Sequence, residues 1–320
     1  MPAYSTTPRV LCQCGRAPAV AATFGASLFD AIGVAGADSF VSTPLAEMKT
    51  ARLQEDWCGD DAVAVLGPDL GDIPGLRLPL GRAVEYPSTL SVQCPAQGLT
   101  AAGWYRDHPR KMMHMRLGVV GAVFDQNDRV LLTRRARHMR SFPGSWVMPG
   151  GGLETGESFV DAVMREVAEE TGIALARETV RPIGMWESVF PTSTAECIAA
   201  GTGITAHYLV VFYAARPVEV DPQVVLQQEE TDLALWLTAD QLADTIAHPL
   251  GGLSGTVPAA AAGPGLPTTV ALDDLAGIYP RINSLNPEGI GVGVAQGNLF
   301  VLAELLKGEG VEHTFKLPKL

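Results

Sequence analysis

Residues 151–173 read GGLETGESFVDAVMREVAEETGI, and this stretch decides the fold. A helical pattern runs from Ser158 to Thr171 and stops at Gly172, after a turn rich in glycine. Residues three or four positions apart lie on one face of a helix. One such face is apolar and predicts a helix that packs on a sheet; its members are Val160, Val163, Met164 and Val167.

A second face of the same helix carries three carboxylates. Glu166 and Glu170 lie one helical turn apart, and Glu169 lies beside both. Three carboxylates on one face repel each other unless a cation neutralises their charge. Because all their ligand atoms are oxygens, Mg²⁺ or Mn²⁺ is the cation that suits them. Arg165 can pair with Glu169 or with Glu157 near the helix start, and the second pairing would fix the loop against the helix. The segment therefore predicts a metal site beside a glycine turn whose backbone can approach a metal or a phosphate.

The flanking sequence predicts a mixed sheet. Residues 117–124 and 129–133 are apolar runs separated by a turn cluster, which is typical of a hairpin with a four-residue connection. Three further strands are predicted at residues 146–148, 208–213 and 233–237. A helix opens at Thr238, so the pattern indicates an α/β or α+β domain with at least two helices.

Three regions follow one another along the chain. Residues 1–112 mix short apolar runs with turn signals and predict an N-terminal α+β extension without a catalytic constellation. Residues 113–247 carry the clearest patterning. Residues 248–320 contain a Gly/Pro/Ala stretch at 249–267, interpreted as a flexible insertion, and a helix from Val294 to Lys307 that packs on the central domain.

Composition limits the function further. The 320 residues include 23 Lys plus Arg and 35 Asp plus Glu, for a net charge of −12. This balance argues against broad binding to a nucleic-acid backbone, which needs clustered cations. It is compatible with a site that collects divalent cations. Uncharged segments are broken by proline, glycine and polar residues, so no membrane span is predicted.

Cysteine usage bears on the compartment. Five cysteines are few and odd in number, which favours a reducing environment and a cytoplasmic protein. The last three residues, Pro318-Lys319-Leu320, differ at one position from the peroxisomal address Ser-Lys-Leu. A peroxisomal or other organellar location is therefore the alternative prediction.

The decisive segment resembles the Nudix box. The family pattern is Gly, five residues, Glu, seven residues, Arg-Glu, an aliphatic residue, any residue, Glu-Glu, any residue, Gly and an aliphatic residue. Every specified position matches, at Gly151, Glu157, Arg165-Glu166, Val167, Glu169-Glu170, Gly172 and Ile173. A solvated acidic helix would predict neither the glycines nor this spacing.

The resemblance implies a fold and a reaction. Nudix proteins are α/β/α sandwiches with a mixed sheet, and they hydrolyse a nucleoside diphosphate linked to another moiety in the presence of Mg²⁺ or Mn²⁺. On this pattern the catalytic and metal-binding residues are Glu166, Glu169 and Glu170, with the backbone at Gly151 contributing to the metal site. Glu157 and Arg165 would be structural supports. One box glutamate, or an extra carboxylate such as Glu230, would deprotonate the attacking water.

The sequence around the box resembles particular relatives. Residues 131–136 and 185–191 look like a eukaryotic subfamily of methylguanosine-capped RNA hydrolases, related to NADH pyrophosphatases. The substrate expected first is therefore capped RNA or a related dinucleotide. NADH, ADP-ribose and coenzyme A stay open as alternatives; Arg135, Arg140 and Gly144 fit the spacing of coenzyme A hydrolases, although Met148 replaces their Phe.

Four residues are candidates for substrate contact. Trp186 and Phe190 could stack on a base or pack in the core, and the sequence does not separate these roles. Arg134 and Arg135 could bind phosphate or form a solvated pair at a strand end. Trp146 is interpreted as core. The expected partner is a small nucleotide or capped RNA, with no membrane partner, and the oligomeric state is not predicted.

Two other classes remain as alternatives. A non-catalytic Nudix-fold binding protein commonly lacks box carboxylates, and none is lost here. An isomerase acting on isopentenyl diphosphate would want a cysteine in the pocket, for which Cys197 is the nearby thiol.

Overall fold

The computed structural model describes residues 9–12, 20–21, 49–58, 61–67, 76–82, 116–154, 156–190, 206–282, 284 and 286–307. Among them are fourteen strands: β1 Arg9–Cys12, β2 Val20–Ala21, β3 Lys49–Cys58, β4 Asp61–Gly67, β5 Leu76–Arg82, β6 Arg116–Val123, β7 Val130–Arg135, β8 Trp146–Val147, β9 Gly150–Gly152, β10 Arg181–Phe190, β11 Ala206–Ala215, β12 Thr231–Leu237, β13 Thr256–Ala261 and β14 Thr269–Ala271. The α-helices in these ranges are α1 Phe159–Thr171, α2 Ala239–Ala247 and α3 Gln296–Lys307. Short 3₁₀ turns lie at Arg177–Thr179 and Leu272–Asp274.

Two compact units are present. The first contains Met1–Gly118, Gly152–Phe159 and Gly184–Val211. One mixed sheet of the described residues has the strand order β2-β1-β4-β3-β5-β10-β11-β6-β9. Strand β5 pairs in parallel with β10, with Leu80 opposite Met185 and Gly81 opposite Trp186. The described parts of residues 1–112 are thus strands of this sheet, and the rest of the predicted α+β extension lies outside the described residues.

The second unit contains Val119–Gly151, Val160–Ile183 and Phe212–Leu320. Its own sheet has the order β14-β13-β12-β7-β8, and β12 pairs antiparallel with both β7 and β13. Helix α2 begins as predicted after Thr238, whose side chain accepts a hydrogen bond from the Gln241 backbone while the Gln241 side chain accepts one from the Thr238 backbone. Together with the mixed sheet and its helices, this confirms the α/β class.

The hairpin predicted from residues 117–124 and 129–133 is wrong in its pairing. A turn does join the two runs, since Asp125 accepts backbone hydrogen bonds from Asn127 at 2.9 Å and Arg129 at 2.8 Å. However, a single bridge between Phe124 and Val130 joins the two runs, and β7 pairs with β8 and β12 instead of β6. An apolar run signals a strand buried on both faces, but it does not specify which strand lies beside it.

The flexible insertion predicted at 249–267 is also wrong over part of its length. Residues 256–261 form β13, and Ala259–Ala261 pair with Leu233–Leu235 of β12. The opposite edge of β13 pairs with β14. Alanine and proline hide the alternation that marks a strand, because small side chains differ little between buried and exposed positions.

Helix α3 is more deeply buried than its sequence predicts. The spacing of its leucines predicts a packing face of Leu299, Leu302, Leu305 and Leu306, whereas the structure buries every residue from Gly297 to Leu305. Asn298 Oδ1 accepts a hydrogen bond of 2.7 Å from the Met148 backbone. A helix buried on all sides belongs to the core of its unit. None of the helices in the described ranges has the length and apolar character needed to cross a bilayer.

Candidate active site

The box helix α1 is positioned by its apolar face. Val163 and Val167 are fully buried. Both approach Gly121 of β6 closely: a Cβ there would lie 2.8 Å from Val167 Cγ2 and 3.2 Å from Val163 Cγ2. Glycine at this position therefore lets the helix pack tightly on the strand. The opposite face of α1, with its three glutamates, is held in a fixed place above the glycine turn.

The three glutamates differ in exposure. The Glu169 side chain is 54% exposed, that of Glu166 13%, and Glu170 as a whole residue is 3% exposed. Arg165 Nη1 donates to Glu166 Oε1 at 2.9 Å and to Glu169 Oε2 at 3.0 Å. One guanidinium thus bridges two carboxylates, and the pairing of Arg165 with Glu169 is one of the two that the sequence predicts. Glu157 Oε2 accepts from the Glu154 backbone at 3.2 Å, which ties the loop before the helix.

The glycine turn closes over these carboxylates. A Cβ at Gly151 would overlap the Glu166 carboxylate, and a Cβ at Gly150 would overlap the Val119 carbonyl oxygen. The Gly150 backbone also donates a hydrogen bond to Glu170. Only glycine fits at Gly150, because the obstacle there is the backbone of β6; at Gly151 a side chain would have to displace the Glu166 carboxylate.

The electrostatics of the cluster are unfavourable without a cation. Burial is the main cause that raises the pKa of Glu170 to about 8; Glu166 and Glu230 contribute to the increase, and Arg135 and the Gly150 backbone oppose it. Burial likewise raises the pKa of Glu166 against the lowering by Arg165, and Glu169 and Glu230 add to the increase. Glu230, predicted from its place before β12, therefore acts on both box glutamates. Glu166, Glu169, Glu170 and Glu230 thus interact electrostatically, and we call these four residues the acidic cluster.

The donor chemistry fits a hard divalent cation. Oxygen atoms from several carboxylates and a backbone that can approach closely are the ligands that Mg²⁺ and Mn²⁺ take. In the described ranges, no three Asp, Glu, His or Cys side chains already surround one point as a metal group. Arg165 instead holds Glu166 and Glu169. We conclude that the residues fit the ion in kind and that Arg165 forms ion pairs with two of them.

The two candidate arginines are placed differently. Arg134 is 8% exposed and forms a bidentate pair with Asp232, with Nε–Oδ1 at 2.8 Å and Nη2–Oδ2 at 2.9 Å. Its guanidinium carbon lies 5.9 Å from the ring centre of Trp146, which is fully buried as predicted. This placement favours a structural role for Arg134. Arg135 lies close enough to lower the pKa of Glu170 and stays the better candidate for phosphate binding.

The aromatic candidates after the box lie on β10. Trp186 is 6% exposed, which favours the packing role over stacking on a base. The next residue, Glu187, is fully buried, and its Oε1 lies 2.8 Å from Nε2 of the fully buried His207 on β11. The side chain of Phe190 lies outside the described residues, so its predicted role is not placed. Sequence reasoning missed the Glu187–His207 pair because nothing local marks two residues on separate strands as partners.

Comparisons with known proteins agree with this geometry. Residues 114–252 match a family model described as NUDIX domain. The chain is 33% identical over 126 residues to the m7GpppN-mRNA hydrolase NUDT17 of Danio rerio, across 39% of this chain and 42% of that relative. It is 27% identical over 124 residues to the nucleoside triphosphatase NudI of Enterobacter sp. (strain 638), across 39% of this chain and 83% of that relative.

The solved structures resemble the chain more distantly. A MutT/nudix family protein from Enterococcus faecalis is 16% identical, covers 69% of this chain and 73% of its own, and has a TM-score of 0.35. The matched part spans less than half of the NUDT17 relative, so the activity of that whole protein is not transferred by similarity alone.

Proposed function

We propose that this chain, which belongs to the Nudix family through residues 114–252, is a pyrophosphohydrolase that uses Mg²⁺ or Mn²⁺. The observation that carries the proposal is the buried Glu170, placed near two other carboxylates and bonded to the backbone of Gly150, a position where a side chain would clash with backbone. A carboxylate is seldom buried beside other carboxylates unless a cation is bound there. The complete set of box glutamates disfavours a non-catalytic binding protein.

The roles of the residues follow from their positions. Glu166, Glu169 and Glu170, with the Gly151 backbone, would hold the cation, which when bound supplies positive charge to the phosphoryl oxygens. Arg165 holds Glu166 and Glu169 in place. Glu230 acts electrostatically on both Glu166 and Glu170 and is our candidate to accept the proton of the attacking water. Arg135 would bind a phosphate of the substrate.

The substrate we propose is a capped RNA or a related dinucleotide with a phosphoanhydride bridge. The support is the similarity to the NUDT17 relative, whose name gives m7GpppN-mRNA as its substrate. A nucleoside triphosphate is the second candidate, because the NudI relative is named a nucleoside triphosphatase. NADH, ADP-ribose and coenzyme A stay in the comparison because they share the diphosphate bridge.

A substrate panel tests this proposal. Wild-type protein is assayed with a methylguanosine-capped dinucleotide, capped RNA, nucleoside triphosphates, NADH, ADP-ribose and coenzyme A, ranked by kcat/KM with Mg²⁺ and with Mn²⁺. We expect the capped substrates to rank first and EDTA to abolish turnover. A top rank for another diphosphate would replace the substrate, and turnover that survives EDTA would contradict the metal role.

A matched pair of variants tests the base. Glu230→Gln should lower kcat by about 10²-fold or more, as expected for loss of a general base. Glu178→Gln, an exposed glutamate in the 3₁₀ turn at Arg177–Thr179, should not change it. Equal turnover of both variants would assign the proton transfer to a box glutamate instead.

A further inference from the structure

A cationic loop begins beside the acidic cluster. Residues 136–145 connect β7 to β8, and we call them the arginine loop because Arg137 and Arg140 are exposed on it. The backbone of Ala136 donates to the Glu230 carbonyl at 2.8 Å, and His138 Nε2 lies 2.8 Å from the Glu229 carbonyl oxygen. The near end of the arginine loop is therefore fixed to the turn that carries Glu230.

The far end of the arginine loop meets a segment beyond the matched Nudix region. This segment, residues 277–282 with 286–295, is called the strap. Tyr279 Oη donates to the Pro143 carbonyl at 2.7 Å, and the Tyr279 ring lies edge-on to Phe142 with centroids 6.2 Å apart. Gly144 and Gly291 touch so closely that a Cβ at Gly144 would lie 2.7 Å from the Gly291 nitrogen. The strap thus contacts three consecutive residues of the arginine loop.

The strap itself is anchored on β8. The Trp146 backbone donates to the Gly293 carbonyl at 3.1 Å, and the Ala295 backbone donates to the Trp146 carbonyl at 2.9 Å. The Tyr279 backbone donates to the Val294 carbonyl at 2.9 Å. These bonds hold Tyr279 in a fixed place relative to the strand that follows the arginine loop.

The contact falls on a strained residue. Phe142 has a φ of +53°, a left-handed conformation that costs a non-glycine residue roughly 1 kcal/mol or more. Such a conformation persists when its neighbours hold it. The Ser145 backbone and hydroxyl both donate to the Phe142 carbonyl, at 3.1 and 2.9 Å, and Tyr279 packs on its ring.

The strap also borders one loop cation directly. A Cβ at Gly291 would lie 3.5 Å from Arg137 Nη2. The Arg137 guanidinium therefore lies close to the strap at a position that has no side chain. The whole chain has a net charge of −12, so two exposed arginines on a loop that is bonded to the turn of Glu230 are a local reversal of charge. Exposed guanidinium groups of this kind bind phosphate oxygens.

We propose that Tyr279 is a positioning residue for substrate binding. By holding Phe142 and Pro143, it fixes the arginine loop so that Arg137 binds an anionic phosphate of the substrate beside the acidic cluster. The ligand class is a molecule with a phosphate in addition to those at the cation site. This inference rests on the proposed function for its turnover readout, and its binding readout is independent of catalysis.

Affinity for inorganic pyrophosphate in the presence of Mg²⁺ provides the binding test, by titration calorimetry on the full chain. Tyr279→Ala should weaken this affinity and raise the KM of the best substrate by about 5- to 10-fold, with kcat within about twofold, which is the pattern of lost uniform binding. Tyr279→Phe keeps the ring and loses the hydroxyl bond, so we expect about a twofold effect. Leu305→Ala in α3 is the control for general destabilisation and should leave both constants unchanged.

A double variant separates positioning from packing. If Tyr279 acts through Arg137, Tyr279→Ala combined with Arg137→Ala should bind pyrophosphate no more weakly than Arg137→Ala alone. Multiplied effects of the two substitutions would overturn the proposal, and so would an affinity of Tyr279→Ala equal to that of Leu305→Ala. Should Tyr279→Ala not fold, Tyr279→Phe decides the question, and an unchanged affinity in that variant overturns it.

The two proposals fail in different ways. Wild-type protein that binds pyrophosphate but hydrolyses no substrate contradicts the proposed function, and the affinities still decide the role of Tyr279. Wild-type protein that does not bind pyrophosphate overturns the role of Tyr279 and Arg137, whereas turnover of a capped dinucleotide would still support the proposed function.

Discussion

Helices α1 and α3 each bury a glutamate, and their surroundings differ in kind. Glu170 of α1 is 3% exposed, and Glu304 of α3 is 2% exposed. Lys307 Nζ lies 2.6 Å from Glu304 Oε1, so the carboxylate in α3 has a cation one turn away. Glu170 has one cation, Arg135, and two carboxylates, Glu166 and Glu230, among the groups that act on it. Burial alone therefore does not distinguish the two glutamates; the presence of neighbouring carboxylates does.

The packing of the two helices differs in the same sense. Helix α3 buries all its residues from Gly297 to Leu305, whereas α1 leaves Asp161, Ala168 and Glu169 exposed. The first arrangement contributes to the core, and the second presents one face to a site. We therefore expect α3 to stabilise the fold and α1 to carry the function.

The largest effect on stability should come from α3. Phe300 is fully buried, so Phe300→Ala should lower the free energy of unfolding by about 3–5 kcal/mol. Val160 on α1 is only partly buried, and Val160→Ala should cost about 1 kcal/mol. Urea unfolding of both variants measures the difference. Equal losses would show that α1 contributes to the core as much as α3 does.

The pH dependence of stability should come from α1. The pKa of Glu170 is raised to about 8 in the folded protein, from the usual carboxyl range in the unfolded chain. Between these two values the unfolded chain releases the proton while the native state keeps it, so stability falls as pH rises from about 4.5 to 8. In EDTA at pH 8, Glu170→Gln should therefore be more stable than wild type by about 2 kcal/mol.

The matched variant in α3 should behave differently. Glu304→Gln removes the ion pair with Lys307. Its free energy of unfolding should not exceed that of wild type at any pH from about 5 to 8, in the same buffers. Thermal melting across this range compares both variants with wild type. A Glu170→Gln protein that is less stable than wild type at pH 8 would show that the acidic cluster is not a source of strain.

Metal binding should produce a smaller effect on stability than the loss of Phe300. Mg²⁺ that binds only the native state adds about 1–2 kcal/mol to the free energy of unfolding at concentrations well above its Kd, and it therefore raises the melting temperature. Glu166→Gln should remove this shift, and Glu304→Gln should keep it. Calorimetric melting with and without Mg²⁺ measures it. An apo protein that is already unfolded would show instead that the metal is required for folding.

The sequence predicted the local features of α1 well. The helix was expected from Ser158 and begins at Phe159, and its glutamates and glycine turn lie together as the spacing indicates. These features follow from helical periodicity and turn chemistry, which act over a few residues. Trp146 was also expected in the core from its apolar character and is fully buried.

Features that depend on distant pairing were not predictable. Arg134 meets Asp232, which is 98 positions away, and no local pattern indicates this partner. The separation of β6 from β7 depends on the strands that compete for their edges, and β13 was hidden by its alanines. The full burial of α3 depends on the elements around it. Each miss concerns tertiary contacts, which residue patterns of short range do not encode.

Turnover of a methylguanosine-capped dinucleotide with Mg²⁺ tests the division between the two helices most directly. It is measured for Glu170→Gln and Glu304→Gln after circular dichroism has shown both to be folded. We predict that Glu170→Gln lowers kcat by about 10³-fold or more and that Glu304→Gln stays within about threefold of wild type. Near-wild-type turnover of Glu170→Gln, or an equal loss in both variants, would contradict the assignment of α1 as the catalytic helix.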